Sequence, residues 1–340
     1  NFTSLDIDTE FTQISGETQN SFFNNEFTFM ISGDSETYAS YFQPISNIAL
    51  EVIEYISDYI SWDGILDFVV YFDGPVDFGP DGIFSYPAGD GLLPAYGGIA
   101  SNGRTFAQQE ALTGNDENGL DFDLGLYLLP NLDGTLTNYG FPLFFDYDPD
   151  AYSESYIPPA THDFFSIFLH EVMHGLGFWS TAQHDGFGNS AFDDFTIQRN
   201  GQYYFEGEAV LDLIGQGLPL SINGSRDHYA DDVNGPSVIN RGLMYEFGNY
   251  EENRWHLGQV DLAVLSDLGY TVANIDALPL VEQPDQVLLF EASSTTLLND
   301  LSGIFGDTGD LYGAPQDSSL EINIPLLAGA LSGADMTIVL

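Results

Sequence analysis

Hydrophobic and polar positions follow two rhythms along this chain, and each rhythm predicts a different element. Phe27-Thr28-Phe29-Met30-Ile31 and Ile65-Leu66-Asp67-Phe68-Val69-Val70-Tyr71-Phe72 are short apolar runs rich in aromatic and β-branched residues, the second closed by Asp73-Gly74-Pro75. Such runs predict strands. Residues 120–129, ending at Pro130, predict another strand, which could take up an extended peptide along its edge if that edge faces a cleft. Within residues 38–60, Ile48, Leu50, Val52, Ile53, Ile56 and Ile60 have rough helical spacing, and Phe164, Phe165, Phe168, Val172 and Leu176 repeat the pattern later. Shorter helices are predicted at 106–112 and 209–214 and a longer one at 257–268, with strand fragments at 195–198 and 203–205. The intervening stretches 73–119 and 185–240 are rich in turn formers and predict loops. From Asn274 the texture changes to short alternating runs, Val287-Leu288-Leu289-Phe290 and Ile322-Asn323-Ile324. The expected organisation is therefore α+β. A main domain spans 1–273, with 1–35 as loosely assigned N-terminal strands, and a β-rich appendage at 274–340 reads as the start of a further domain.

The chemistry concentrates on one predicted helix. Thr161 is the expected N-cap, Asp163 suits the first turn, and Gly175 and Gly177 are the expected terminators. His170 and His174 stand four residues apart, hence on one helix face, close enough to bind one metal ion. Glu171 beside them can act as general base toward a water on that metal. Two satisfied core histidines would explain the phenylalanines of this helix, but not a glutamate in the middle of an apolar run. A catalytic zinc takes three protein ligands and keeps one position open. The chain offers six histidines. His162 lies two turns back on the predicted helix and cannot reach. The short metzincin motif, which this run resembles, would place a third ligand three residues after Gly177, but Ser180 occupies that position. His184, His228, His256 or a carboxylate remain as alternatives.

Charge narrows the partners. The 340 residues carry 52 acidic against 5 basic side chains, all arginine, for a net −47, yet 44% are hydrophobic and 14% aromatic. That is a globular composition with a strongly anionic surface, which excludes nucleic acid and membrane insertion from the expected partners and requires screening by salt or bound cations. The expectation is a secreted, extracellular or cell-surface protein, bacterial and in a saline or calcium-containing medium. Asp146, Asp148 and Asp150 alternate in a loop and can clasp calcium, although no full calcium-loop pattern follows. Cysteine is absent, so disulfides, thiolate metal sites and cysteine nucleophiles are excluded. The start at Asn1 suggests a processed chain, and the strand-like end Met336-Thr337-Ile338-Val339-Leu340 suggests that the natural polypeptide continues.

Four features together resemble the leishmanolysin-like branch of the metzincin metallopeptidases, and more closely its cysteine-free bacterial secreted relatives. They are His170-Glu171-x-x-His174-Gly175-Leu176-Gly177-Phe178, a distant histidine in Ser225-Arg226-Asp227-His228-Tyr229, the pair Leu243-Met244, and Val264-Leu265-Ser266-Asp267-Leu268-Gly269-Tyr270. The resemblance covers roughly residues 40–272. It implies a twisted sheet with an active-site helix and a mostly irregular C-terminal subdomain. It implies zinc on His170, His174 and His228, Met244 in a Met-turn beneath the metal, and Glu171 as general base of a secreted endopeptidase acting on protein or peptide substrates. Several metzincins place a tyrosine two residues after that methionine; Glu246 stands there, so Tyr245 receives no role. The rival expectation is an extracellular adhesive or filament-forming protein, a homo-oligomer or polymer that keeps a peptidase-like domain as scaffold.

Overall fold

The strand-forming runs of the first half assemble into a single mixed sheet. The computed structural model describes residues 9–18, 22–72, 91–96, 100, 102–119, 122–129, 136–138, 141–145, 157–181, 189–222, 226–230, 242–245, 254–280, 321–323 and 337–339. Asp146, Asp148, Asp150, His184 and the run 287–290 lie outside these residues. β1 (Thr9–Glu17) pairs antiparallel with β2 (Glu26–Asp34), which leads into α1 (Ser35–Ser57) and the short β3 (Ile60–Ser61). β4 (Ile65–Phe72) returns parallel to β2. After β5 (Gly91–Tyr96) and α2 (Phe106–Thr113), β6 (Leu124–Leu129) runs parallel to β4 and antiparallel to β5, giving the order β1-β2-β4-β6-β5. Parallel neighbours need a crossover, and α1 and α2 lie in the two crossovers.

This order corrects the expectation for residues 120–129. β6 is inside the sheet, hydrogen-bonded to β4 on one side and β5 on the other, so it has no edge left for a peptide.

α1 buries Ile45, Ile48, Ala49, Val52, Ile53 and Ile56, an i, i+3, i+4 stripe against the core, while Ile60 belongs to β3. β7 (Thr137–Asn138), β8 (Phe141–Phe144) and β9 (His162–Asp163) form a small separate sheet before α3 (Phe164–Gly175). Because β9 pairs with β8, the backbone stays extended through Asp163, and the helix starts later than expected. Asp163, not Thr161, is the N-cap, its carboxylate accepting from Ser166 N–H at 3.0 Å and Ser166 Oγ–H at 2.6 Å. Thr161 donates its hydroxyl to the Pro158 carbonyl instead, at 2.7 Å. The helix core is aromatic: Phe168 meets Phe29 of β2 edge to face, and Phe165 meets Tyr55 of α1.

Of the two glycines expected to end this helix, only Gly177 has the left-handed backbone, φ +118°. Gly175 is still helical, and its role is close approach. A methyl there would sit 1.6 Å from Leu124 Cδ1 of β6, so α3 rests directly on the sheet.

The remainder of this unit carries little regular structure. β10 (Thr196–Arg199), β11 (Gln202–Phe205) and β12 (Leu218–Leu220) form an antiparallel sheet, with α4 (Glu208–Ile214) between the last two strands. α5 (Gln259–Asp267) ends in Asp267, whose carboxylate accepts Ala209 N–H (2.7 Å) and Val210 N–H (3.0 Å) at the start of α4. β13 (Thr271–Val272) pairs with β3. Residues 274–280 remain part of this unit, since Gln259 N–H and Val260 N–H donate to Pro279 and Leu280 carbonyls. The chain splits into two compact units, 1–287 and 288–340. In the second unit, 288–340, the described residues are β14 (Glu321–Asn323) and β15 (Thr337–Val339), an antiparallel pair. Among the described residues no helix is long and apolar enough to cross a membrane.

One ion pair ties the C-terminal part to the start of α3. Arg254, 8% exposed, donates from Nη2 to Asp163 Oδ1 (2.9 Å) and from Nε to Oδ2 (3.2 Å), and Trp255 N–H donates to Ser166 Oγ (2.6 Å). Removing one partner of a buried pair strands the other charge. Arg254→Met is expected to lower unfolding free energy by about 3–5 kcal/mol in urea titrations. Adding Asp163→Asn should recover part of that loss, because asparagine still caps the helix.

Candidate metal centre

Three imidazoles from distant parts of the chain meet at one point. His170 and His174 come from successive turns of α3. His228 comes from a segment hydrogen-bonded along β12, through Ser221 N–H to the His228 carbonyl (2.8 Å) and Ala230 N–H to the Pro219 carbonyl (3.1 Å). Their Nε2 atoms lie 3.0 Å (170–174), 3.1 Å (174–228) and 3.2 Å (170–228) apart. This is the only group of three or more potential ligands that close together among the described residues.

The opposite ring nitrogens decide what those contacts mean. His170 Nδ1 is 2.8 Å from the Leu243 carbonyl, and His174 Nδ1 is 2.6 Å from the Phe178 carbonyl. A carbonyl only accepts, so each Nδ1 carries the hydrogen and each Nε2 presents a lone pair. His228 Nδ1 lies 2.9 Å from Asp227 Oδ1, an ion-pair contact whose negative charge favours a hydrogen on Nδ1. Three lone pairs aimed at one another are repulsive, and a cation between them removes the repulsion. A tetrahedral ion with nitrogen ligands at about 2.0–2.1 Å holds them about 3.3 Å apart, close to what is seen. The donor set fits a metal.

Burial keeps His170 and His174 neutral. It pushes His170 well below the ordinary imidazole range, helped by the neighbouring His174 and His228, and it pushes His174 down to about 4, again with His228. Neutral imidazole is the form that binds metal. Glu171 follows the opposite logic: burial pushes its carboxyl up to about 8, against the pull of His228. Its Oε2 is buried with no hydrogen-bond partner among the described residues.

Met244 is fully buried in a turn closed by Tyr245 N–H donating to the Gly242 carbonyl at 3.1 Å. The turn meets the site through its backbone: the Leu243 carbonyl holds His170, and the Met244 carbonyl accepts Tyr229 N–H at 2.8 Å. The Tyr229 hydroxyl donates to Asp261 near the start of α5, and the Arg226 guanidinium stacks 3.8 Å over the Tyr203 ring. His228 is thus held on both sides.

The other candidate histidines are elsewhere. His256 packs against Tyr55 and Phe165. His162 is not on the helix at all but in β9, stacked on Phe141 at 4.7 Å. Sequence reasoning missed Leu243, Phe178 and Asp227 as supports. An acidic residue directly before His228 was a usable signal for the last; a carbonyl acceptor has none.

His162 supplies a pH test. It is 6% exposed, and burial pushes its pKa down to about 4, so the folded chain keeps it neutral while the unfolded chain protonates it near 6.5. Its neutral form therefore supports folding above pH 6.5, and that support is lost as pH falls toward 4. In melting curves, the stability of His162→Phe relative to the wild-type chain is expected to rise steadily across that window and to stay level above it.

No family model, curated protein or solved structure matches this chain.

Proposed function

We propose that this protein is a secreted zinc-dependent endopeptidase of metzincin type. The observation that carries the reading is the convergence of three imidazole nitrogens, two from one buried helix and one from a residue 54 positions later, beside Glu171, whose Oε2 is buried. His170, His174 and His228 would hold the metal, and zinc suits them because it takes nitrogen ligands at tetrahedral spacing. When bound, zinc supplies a Lewis acid that polarises a carbonyl and lowers the pKa of a water at its open position.

The chain's own residues supply the rest. Leu243, Phe178 and Asp227 keep the three rings in the ligating tautomer. With the positive charge of a bound zinc favouring its ionised form, Glu171 would take a proton from the attacking water and return it to the amine of the departing peptide. That role accounts for an Oε2 without a partner among the described residues, because a buried acceptor left empty costs about 1–3 kcal/mol, a cost with no return in a protein that merely uses the fold as scaffold. The strongly anionic chain favours neutral or basic peptides, at low salt only.

The test combines metal analysis with proteolysis of an unstructured protein such as casein. The wild-type chain is expected to carry one zinc and to cleave, and to lose cleavage on chelation. Glu171→Gln should retain zinc but lose turnover by about 10²–10⁴-fold or more. Cleavage that persists in that variant, or a chain that takes up no zinc, would defeat the proposal.

A further inference from the structure

One short segment leaving the metal helix serves two of the three ligands. The Phe178 carbonyl accepts His174 Nδ1–H at 2.6 Å. Two residues on, Ser180 N–H donates to Asp227 Oδ2 at 3.3 Å, while Asp227 Oδ1 lies 2.9 Å from His228 Nδ1. Asp227 is 3% exposed, so its carboxylate works in a low-dielectric setting where one misplaced oxygen matters.

The segment is fixed in turn by a second buried carboxylate. Asp193, 8% exposed, accepts from Ser180 Oγ–H (2.6 Å), Thr181 N–H (2.9 Å), Thr181 Oγ1–H (2.7 Å) and Ser190 N–H (3.0 Å). Burial alone would raise this carboxyl's pKa, but the hydrogen bonds from Ser180, Ser190 and Thr181 outweigh it and hold the group below the ordinary range. The clamp therefore stays ionised and stays closed.

We propose that Asp227 is a positioning residue of the metal centre, orienting His228 and raising the basicity of its Nε2, and that Asp193 sets the position of Asp227 through Ser180. The inference rests on the zinc reading above. Both oxygens of Asp227 have a task, one toward Ser180 and one toward His228. Asparagine has a single acceptor oxygen and can perform only one of them. A carboxylate behind an imidazole also adds negative charge to the ligand set, which favours a divalent cation.

The experiment measures zinc affinity of the full chain by chelator competition, alongside the melting temperature of the metal-free form and the visible absorption of the cobalt-loaded form. Asp227→Asn is expected to weaken zinc by about 10–100-fold and to shift the cobalt bands, with the metal-free protein still folded. Asp193→Asn should also weaken zinc, though less. Ser180→Ala, which keeps the N–H to Asp227 but removes the direct bond of Ser180 to Asp193, should weaken zinc about as much as Asp193→Asn. A merely structural Asp227 would lower the melting temperature without moving the cobalt spectrum. Wild-type affinity and spectrum in folded Asp227→Asn overturn the inference while leaving the zinc reading intact. If Asp227→Asn does not fold, Asp193→Asn decides: unchanged zinc affinity there overturns the relay. A wild-type chain without zinc overturns both readings together.

Discussion

Three lone pairs directed at one point repel each other, and most of this domain can be understood as the scaffold that holds them there. No single bond does this. His170 and His174 are placed by helical periodicity, but their rings face inward only because the Leu243 and Phe178 carbonyls take the hydrogens on the far side. His228 reaches the same point from a segment with no regular structure of its own, so its placement depends on neighbours: β12 along the backbone, the Met244 carbonyl and Asp261 around Tyr229, and Asp227 behind the ring. In a low-dielectric interior such an arrangement survives only where every surrounding polar group is directed, because a loose one would relax by turning a ring away.

The same economy governs the few positive charges. With 5 arginines against 52 carboxylates, any basic side chain could pair almost anywhere on the surface. The one that is buried among the described residues, Arg254, goes to the N-cap of this helix, where Asp163 already accepts the Ser166 N–H. The pair thus joins the residues preceding α5 to the residues preceding the ligands. By contrast, Arg199 stays largely exposed in its pair with Glu206, a contact that salt would screen.

How much of this was legible in the sequence follows from the range of each signal. The helix at 164–175 and its two ligands were legible because both its apolar stripe and its ligand spacing repeat within one turn. The cap was misplaced by two residues, since Thr161 and Asp163 are both good capping types and the choice was made by β9 pairing with β8, a contact outside the local sequence. β6 was legible as a strand but not as an interior one, because β5, its outer neighbour, comes from a stretch of turn formers. Periodicity left His184, His228 and His256 equal; only the likeness of the motif to a known family distinguished His228, and its meeting with the helix pair is a matter of tertiary structure.

The burial of Gly175 against Leu124 and the lateness of His228, Leu243, Arg254 and Asp261 in the chain bear on when the site comes into being. The helix can dock on the sheet as soon as the first half has folded, with two imidazoles in place and the third missing. Closure of the long intervening loops, whose entropic cost grows only slowly with length, must await the residues of α5. Assembly of the centre is therefore a long-range event in folding, tied to completion of the whole first unit. A nascent chain that has only reached the helix has a docking platform and two of the three imidazoles, and their meeting with His228 comes last.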